Sequence, residues 1–339
     1  MKNIFLPILA IASVMYGCSK SKAPDVNPAQ TSGVTTYVGN GIAGLVNASG
    51  TGAELNAPTD IVVDAAGNMY ISEYGNNVIR KVAPGGSVST YAGDGTKGYK
   101  DDVAAKAEFN DPEGLVMDNA GNLYVADAGN NVIREITVTG QVITYAGNGT
   151  SGYVDGSGNV VEFATPRGLA IDKSRNIYVA DYYNNVIRKI SSTGNVTTFA
   201  GNGTAGLSNG TGSNVKFHTP SGVALDASNN LYVAEAANSD IREITPSGQV
   251  STFATNLPNP LRVTVDGSSN LYASCEDNTI QKIDNTGKVS VYAGNGTPGY
   301  SDGSLLQSEF NAPIGVISNS QGVVIVADAG NNRIRVVTP

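Results

Sequence analysis

The sequence predicts an all-β protein built from one structural unit that is repeated six times. A pattern of short apolar runs and turns recurs with steps of 54, 54, 54, 40 and 53 residues, the copies opening at Pro58, Pro112, Pro166, Pro220, Pro260 and Pro313. No apolar run within a copy reaches the length of a helix, and the two chain ends carry complementary parts of the unit. Such periodicity indicates that one supersecondary unit packs against copies of itself.

The first copy contains four strand-like runs, which are residues 60–64, 69–73, 77–82 and 87–91. Turn residues separate them, among them Asp64, which can bond the backbone, and Pro84-Gly-Gly before the fourth run. Four antiparallel strands in about 40 residues are typical of a β-propeller blade. The inner runs are apolar on both faces, as expected for a blade packed between two others.

The chain ends predict how the ring closes. The last copy stops after its third strand, at residues 332–337, and residues 34–38 match the fourth-strand segment of the first copy at 88–92. We therefore expect residues 34–38 to complete the last blade. The predicted fold is a closed six-bladed β-propeller of four-stranded antiparallel blades, in which closure removes exposed sheet edges.

The repeated segment resembles the NHL-repeat family. The resemblance rests on a Pro-x-Gly-apolar opening, a Gly-Asn-apolar-Tyr-Val-Ala-Asp second strand and an Asn-x-Ile-Arg third strand, all present between Pro112 and Arg134. It covers residues 33–339 and implies a six-bladed propeller used mostly for binding, with a few enzymatic relatives. A fold of this kind does not by itself fix a function.

The N-terminus predicts export and lipidation. Residues 1–17 read as a signal peptide, because Lys2 precedes an apolar run that is too short to span a bilayer. Gly17-Cys18 resembles the lipobox of bacterial lipoproteins, in which the cysteine is acylated, although Met15 and Tyr16 depart from the usual pattern. An ordinary secretory signal is the alternative. Residues 18–32 are a polar tether before the propeller at 33–339. We therefore expect a lipid-anchored protein of the bacterial cell envelope, periplasmic or on the outer-membrane surface.

The net charge and the numbers of cysteines and histidines limit which partners and which metal or disulfide chemistry the chain can have. A formal net charge of −8 argues against nucleic acid, so membrane contact is expected only through the lipid anchor. If Cys18 is lipidated, Cys275 is the sole remaining thiol, and no intrachain disulfide can form. The single histidine, His218, excludes a zinc site built on clustered histidines. We predict no cofactor and no catalytic residue, with Cys275 as a small core residue.

Charged residues that recur in register are predicted to be structural. Five copies carry an acid, followed seven residues later by an arginine: Glu73 and Arg80, Asp127 and Arg134, Asp181 and Arg188, Glu235 and Arg242, Asp328 and Arg335. The fifth copy has Cys275 and Gln281 instead, so acid and base are lost together. That joint loss is what a buried ion pair predicts.

Insertions that begin Gly-Asn-Gly-Thr or similar precede every copy except the fifth. They carry Asp101, Asp102, Asp155 and Asp302, but the spacing of these acids matches no calcium-binding loop.

The candidate site consists of residues that break the repeat on one rim of the ring. They are Glu113 and Arg167 directly after the prolines, Asp60 and Arg262 one position later, and Tyr74, Tyr182 and Tyr183 in the turn after the second strand. Aromatic faces near charges suit an unknown glycan, peptide or protein ligand. Solvated loop tips without a ligand are one alternative. The other is a metal-dependent lactonase- or lyase-like enzyme, since some such enzymes resemble this ring, with Asp60 and Glu113 as the candidate metal ligands.

Overall fold

The computed structural model describes residues 32–339, which form six antiparallel sheets. The predicted signal peptide and the predicted lipidation residue Cys18 lie outside this range. Each sheet is one blade, numbered here by its proline from blade 1 at Pro58 to blade 6 at Pro313. The strands that follow these prolines contact one another in cyclic order, blade 6 returning to blade 1. The six-bladed propeller is therefore confirmed.

The strands nearest the axis and the strands paired with them carry most of the buried apolar residues. The inner strands are Pro58–Val63, Pro112–Met117, Pro166–Ile171, Pro220–Leu225, Pro260–Val265 and Pro313–Ser318. The second strands are Met69–Glu73, Leu123–Asp127, Ile177–Asp181, Leu231–Glu235, Leu271–Cys275 and Val324–Asp328.

The third and outer strands complete each blade. The third strands are Val78–Val82, Val132–Ile136, Val186–Ile190, Asp240–Ile244, Ile280–Ile283 and Arg333–Thr338. The outer strands of blades 1 to 5 are Val88–Ala92, Gln141–Ala146, Asn195–Ala200, Gln249–Thr255 and Val289–Ala293.

The outer strand of blade 6 comes from the other end of the described chain. Gly33–Val38 pairs antiparallel with Arg333–Thr338, with Val34 opposite Val337. The strand is one residue longer than predicted, and the predicted closure is confirmed.

Three blades have a fifth strand that the sequence did not predict. Each consists of two residues from the insertion before that blade, paired with the blade's own outer strand: Asp102–Val103, Gly156–Ser157 and Gly210–Thr211. The insertions also contain single 3-10 turns, which are Gly50–Gly52, Ala104–Lys106, Gly158–Val160 and Gly212–Asn214. Three further 3-10 turns, Ala128–Asn130, Ala236–Asn238 and Ala329–Asn331, connect second to third strands.

The core is divided into six apolar clusters, one between each pair of neighbouring blades. Side chains from both faces of a sheet are therefore buried, which explains why the inner runs are apolar throughout. The blades approach closely near the axis: a Cβ on Gly114 would lie 2.1 Å from the carbonyl oxygen of Arg167 in the next blade. At Gly114 a larger residue would therefore displace the neighbouring blade.

An aspartate follows the inner strand in blades 1 to 5 and bonds the backbone of the turn, as predicted for Asp64. In blade 1, Oδ1 of Asp64 accepts the backbone N–H groups of Ala66 and Asn68, both at 2.9 Å. Asp118, Asp172, Asp226 and Asp266 repeat this pattern. These carboxylates therefore stabilise the turns by accepting their backbone N–H groups. Within residues 32–339, no helix has the length and apolar character needed to cross a membrane.

Candidate functional site

The candidate site lies at one end of the central channel, which we call the mouth. It consists of the two residues after each of the six prolines and the first residues of each turn between second and third strands. Antiparallel pairing places these segments side by side, since Pro58 is opposite Glu73 and Pro166 is opposite Asp181. Every predicted site residue belongs to this rim.

An ion pair crosses the mouth. Arg262 of blade 5 donates from one terminal nitrogen to Oε2 of Glu113 in blade 2 at 2.7 Å. Blades 2 and 5 are three steps apart in a ring of six, so the contact joins opposite sides of the channel. The other terminal nitrogen of Arg262 donates to the carbonyl oxygen of Ser221 in blade 4 at 2.8 Å, and the residue is only 2% exposed. The pair therefore forms a rigid floor across the channel.

Arg167 lies beside this floor. Its Nε is 3.4 Å from Oε1 of Glu113, and its guanidinium lies 3.7 Å from the centroid of the Tyr182 ring. The side chain is 26% exposed. Within residues 32–339, neither terminal nitrogen of Arg167 has a hydrogen-bond acceptor. Arg167 is therefore held by two neighbours while its terminal donors stay available.

The tyrosines are divided between two places. The ring of Tyr183 meets that of Tyr182 edge to face, with centroids 4.9 Å apart, and Tyr183 is 65% exposed. The structure thus brings Glu113, Arg167, Tyr182 and Tyr183 together, with Arg262 beneath. Tyr74 occupies the repeat position of Tyr182 in blade 1, where it is exposed; no ring contact joins it to this cluster in the described part of the chain.

Asp60 has a different environment from Glu113. Its Oδ2 accepts the N–H of Leu115 in blade 2, and its Oδ1 accepts the N–H of Ile61, both at 2.9 Å. The carboxylate is fully buried in the contact between blades 1 and 2. Asp60 and Glu113 are thus near one another along the ring, but each carboxylate already serves protein donors.

Blades 1 and 5 share a second departure from the repeat that the sequence reasoning did not connect to the site. Asp60 and Arg262 replace a glycine, and in the same two blades Ser72 and Ser274 replace the alanine of the second strand. Each serine donates from Oγ to a mouth carbonyl of the following blade, at 2.5 Å to Glu113 and at 2.5 Å to Ile314. In the sequence, the loss of glycine and of alanine in the same two blades was the pattern that could have linked the serines to the mouth.

The recurring acid and arginine pairs are fully buried, at 2.8 to 3.0 Å in all five blades. Each arginine also binds the insertion that precedes its blade. In blade 2, Arg134 donates to the carbonyl oxygens of Glu108 at 3.0 Å and Lys100 at 2.9 Å, and pairs with Asp101 at 2.6 Å. We call this arrangement the insertion clamp.

The clamp explains two features of the sequence. Blade 5 lacks both the insertion and the pair, because without an insertion there is nothing for a clamp to hold. Asp155 and Asp302 make the same contact as Asp101, with Arg188 and Arg335, so these acids serve the clamp. Among residues 32–339, no three His, Cys, Asp or Glu side chains are grouped so that they could share a metal ion.

His218 and Cys275 also have structural surroundings. The backbone N–H of His218 donates to Oε1 of Glu235 at 2.6 Å. Cys275 is fully buried in the core between blades 4 and 5, and burial raises the pKa of its thiol well above the usual range. A buried neutral thiol is a poor nucleophile, in agreement with the predicted core role.

Asp240 was missed by the sequence reasoning. It replaces the valine that begins the third strand in blades 1 to 3, it is 1% exposed, and neither carboxylate oxygen has a hydrogen-bond partner among the described residues. It lies opposite Glu235 in the sheet. Burial and the Asp240 carboxylate raise the pKa of Glu235 to about 8, and burial raises that of Asp240. The sequence feature that could have identified Asp240 is the change from Val to Asp at a position that repeats in blades 1 to 3.

Comparison with a protein-family model supports the repeat assignment. The model described as "NHL repeat" matches residues 109–134, 163–190 and 310–337, which lie in blades 2, 3 and 6.

Two relatives share part of the sequence. The chain is 30% identical over 277 residues to the protein SUPPRESSOR OF QUENCHING 1, chloroplastic, of Arabidopsis thaliana, covering 72% of this chain and 26% of the relative. It is 27% identical over 247 residues to human NHL repeat-containing protein 2, covering 62% of this chain and 34% of the relative. The chain therefore spans about a quarter to a third of the length of these relatives.

Solved structures share the fold at low sequence identity. A Bacteroides thetaiotaomicron protein of unknown function matches with a TM-score of 0.66 at 18% identity, covering 90% of this chain and 75% of its own. A protein from Bacteroides ovatus described as an auxiliary nutrient binding protein gives 0.65 at 15%, covering 91% and 76%. A gluconolactonase from Xanthomonas campestris gives 0.59 at 13%, covering 84% and 86%.

The ring of six inner strands, the closing strand and these likenesses define the class of protein: it is a six-bladed β-propeller. Within that class, the chain contains segments in blades 2, 3 and 6 that match the NHL-repeat model.

Proposed function

We propose that this chain is a lipid-anchored binding protein of the bacterial cell envelope, which engages a glycan, peptide or protein at the mouth of its channel. The observation that carries the proposal is the state of Arg167. This guanidinium is fixed by Glu113 and Tyr182, yet its terminal donors have no acceptor in residues 32–339. A donor group held in place before binding loses little conformational entropy when a ligand arrives.

The setting of Arg167 also suits binding. Tyr183 presents an exposed ring next to Tyr182, and aromatic rings supply contact area at low entropic cost. The floor formed by Arg262 and Glu113 is buried and rigid, so ligand contacts would be made on a fixed scaffold. The fold likeness to a protein described as nutrient-binding is compatible with this role and adds only the fold.

Arrays of glycans and peptides test the proposal with matched variants. We expect wild-type protein to bind a subset of the array, and we expect Tyr182→Ala and Tyr183→Ala to weaken that binding about tenfold or more, since each removes aromatic contact area. Tyr99→Ala is the control, because Tyr99 is a similarly exposed tyrosine on an insertion, outside the mouth. Equal effects of all three variants, or none from the mouth variants, would refute a binding mouth.

A metal-dependent enzyme remains the second candidate and rests on the fold likeness to a gluconolactonase. Its candidate ligand Glu113 is bound by two arginines, which compete with a cation for the carboxylate. Elemental analysis after dialysis against Ca²⁺, Mg²⁺ or Zn²⁺ separates the candidates. One equivalent of metal that is lost in both Asp60→Ala and Glu113→Ala would favour the enzyme over the binding protein.

The lipid anchor is the part of the proposal that rests on sequence alone. We expect the wild-type protein to partition with membranes, and Cys18→Ser to release it into the soluble fraction. Cys275→Ser is the matched control, since the chain contains two cysteines and this change leaves the anchor in place. Fractionation with detection of incorporated fatty acid measures both variants, and membrane retention of Cys18→Ser would argue against lipidation.

A further inference from the structure

Two arginines of the described chain lie against a tyrosine ring at the same distance and differ in what their donors do. Arg167 is 3.7 Å from the Tyr182 centroid, and Arg333 is 3.7 Å from that of Tyr300. Arg333 donates from its terminal nitrogens to the carbonyl oxygens of Asn331 at 2.9 Å and of Asn40 at 2.6 Å. The terminal nitrogens of Arg167 have no such acceptors in residues 32–339. Arg333 therefore has a structural role, whereas Arg167 has spare donors.

The spare donors have the geometry that a carboxylate requires. Tyr182 covers one face of the guanidinium and Glu113 lies at its Nε edge, so the two terminal amino groups are left for an incoming group. A planar guanidinium binds a carboxylate through two parallel N–H···O bonds. Partial burial strengthens such a bond compared with one formed in open water.

The charges around Arg167 favour an anion. Glu113 is shared between Arg167 and Arg262, which leaves these three groups with a surplus of one positive charge. Asp60 and Glu276 keep their negative charges, but their hydrogen bonds go to other groups: Asp60 accepts the amide of Leu115, and Glu276 accepts the side-chain amide of Asn259 at 3.0 Å. A ligand anion at Arg167 meets the net positive charge of the three paired groups, in a chain whose net charge is −8.

The remaining features of the mouth suit a sugar better than a peptide. Extended peptides are commonly bound by the unpaired edge of a strand. Each inner strand has such an edge, but it faces the channel, where neighbouring inner strands approach closely and the Arg262–Glu113 pair crosses the opening. Recognition at the mouth must therefore use side chains. Tyr183 offers an exposed ring in contact with Tyr182, the residue against which Arg167 lies, and such a ring can cover the apolar face of a sugar.

We propose that the ligand of the mouth is an acidic saccharide, whose carboxylate pairs with Arg167 and whose sugar ring packs against Tyr183. This inference rests on the proposed function, because it names the class of ligand for the same site. Arg167 contacts the ligand carboxylate directly, and Glu113 and Tyr182 position the guanidinium.

Calorimetric titration tests this class with chemically matched probes. The probes are oligomers of galacturonate, of alginate and of hyaluronan, each compared with its carboxyl-reduced counterpart, which keeps the sugar skeleton and loses the charge. We expect at least one acidic oligomer to bind, and its reduced form to bind at least tenfold more weakly. Arg167→Met should weaken the acidic oligomer about 10- to 100-fold, as expected for loss of a charge-assisted bidentate contact.

One further variant separates the geometry of the Arg167 donors from their charge, and a second serves as a control. Arg167→Lys keeps the charge and loses the planar pair of donors, so it should recover only part of the affinity. Arg333→Met removes the matched stacked arginine and should leave the affinity unchanged, with folding of every variant checked by its melting temperature. Binding to the acidic oligomer should also weaken as salt is raised.

The outcomes distinguish this inference from the proposed function. Equal affinity for acidic and carboxyl-reduced oligomers, or no effect of Arg167→Met, would overturn the carboxylate assignment while leaving a binding mouth intact. Binding of polyglutamate but of no acidic oligomer, with loss in Arg167→Met, would replace the saccharide by an acidic peptide. Failure of every saccharide and peptide probe, together with an inert array, would overturn both proposals.

Discussion

Asp240 is a single residue at which blade 4 departs from its own repeat at a cost in stability. A buried carboxylate without hydrogen-bond partners is destabilising, and valine occupies the same position in blades 1 to 3. We predict that Asp240→Val stabilises the protein by about 1–3 kcal/mol at neutral pH, the usual penalty for an unsatisfied buried polar group. Thermal unfolding followed by circular dichroism measures the change.

The gain from Asp240→Val should depend on pH in a defined direction. Because burial and Asp240 raise the folded pKa of Glu235 to about 8, the folded protein retains a proton that the unfolded chain releases. Wild-type stability from this group is therefore fully present below the unfolded pKa of about 4.3 and is lost as the pH rises through about 8. The difference in melting temperature between variant and wild type should be larger at pH 9 than at pH 5.

The reciprocal change Val132→Asp should destabilise blade 2, and stabilisation by both changes would contradict this account.

The residues that sequence reasoning predicted correctly are those whose chemistry is local or repeated. Asp64 serves a turn that ends four residues later, and Arg134 pairs with an acid seven residues earlier, so both relations are visible along the chain. Glu113 and Arg262 are 149 residues apart. Their contact depends on blades 2 and 5 facing each other across the axis. The sequence named both residues but could not pair them.

The insertion clamp joins each insertion to the acid–arginine pair of the blade that follows it, and blade 5 lacks both the insertion and the pair. The insertion before blade 3 is held by Arg188, which donates to the carbonyl oxygens of Glu162 at 2.9 Å and of Val154 at 2.8 Å. We predict that Arg188→Gln releases this insertion and lowers stability by about 3–5 kcal/mol, since Asp181 is left buried without its counter-ion. Hydrogen exchange should accelerate in residues 147–165 and stay unchanged in the equivalent insertion at 93–111.

A double variant separates the loss of the clamp from the buried charge. Asp181→Cys with Arg188→Gln reproduces the residues that blade 5 carries at these positions. This variant should recover most of the lost melting temperature, because no unpaired carboxylate remains, while the insertion still exchanges faster than in the wild type. If the insertion stays protected in both variants, the arginine does not hold it.

Elements with a strong repeating pattern were predictable, and the smallest ones were not. The four strands of each blade recur with apolar residues at fixed positions, which made their existence and order visible. The two-residue strands Asp102–Val103, Gly156–Ser157 and Gly210–Thr211 share no apolar pattern. They form because the clamp brings each insertion alongside the edge of an outer strand, a consequence of tertiary contacts that no window of sequence contains.

The whole ring depends on the strand Gly33–Val38, which closes blade 6. A variant that begins at Gly39 loses the burial of Val34 and Val38, about 3–6 kcal/mol for two fully buried valines. We predict that its melting temperature falls by about 10 °C relative to a variant that begins at Ser32. The edge of Arg333–Thr338, left without a partner, should also promote association, which light scattering measures.

A peptide of residues 32–39 provides the complementary test of closure. If the truncated ring keeps five complete blades and a three-stranded sixth, the added peptide should pair with Arg333–Thr338 and raise the melting temperature in a concentration-dependent manner. A peptide with Val34→Asp and Val38→Asp is the control, because it has the same length and cannot bury its side chains. A melting temperature that is the same with and without residues 33–38 would show that the ring holds without its closing strand.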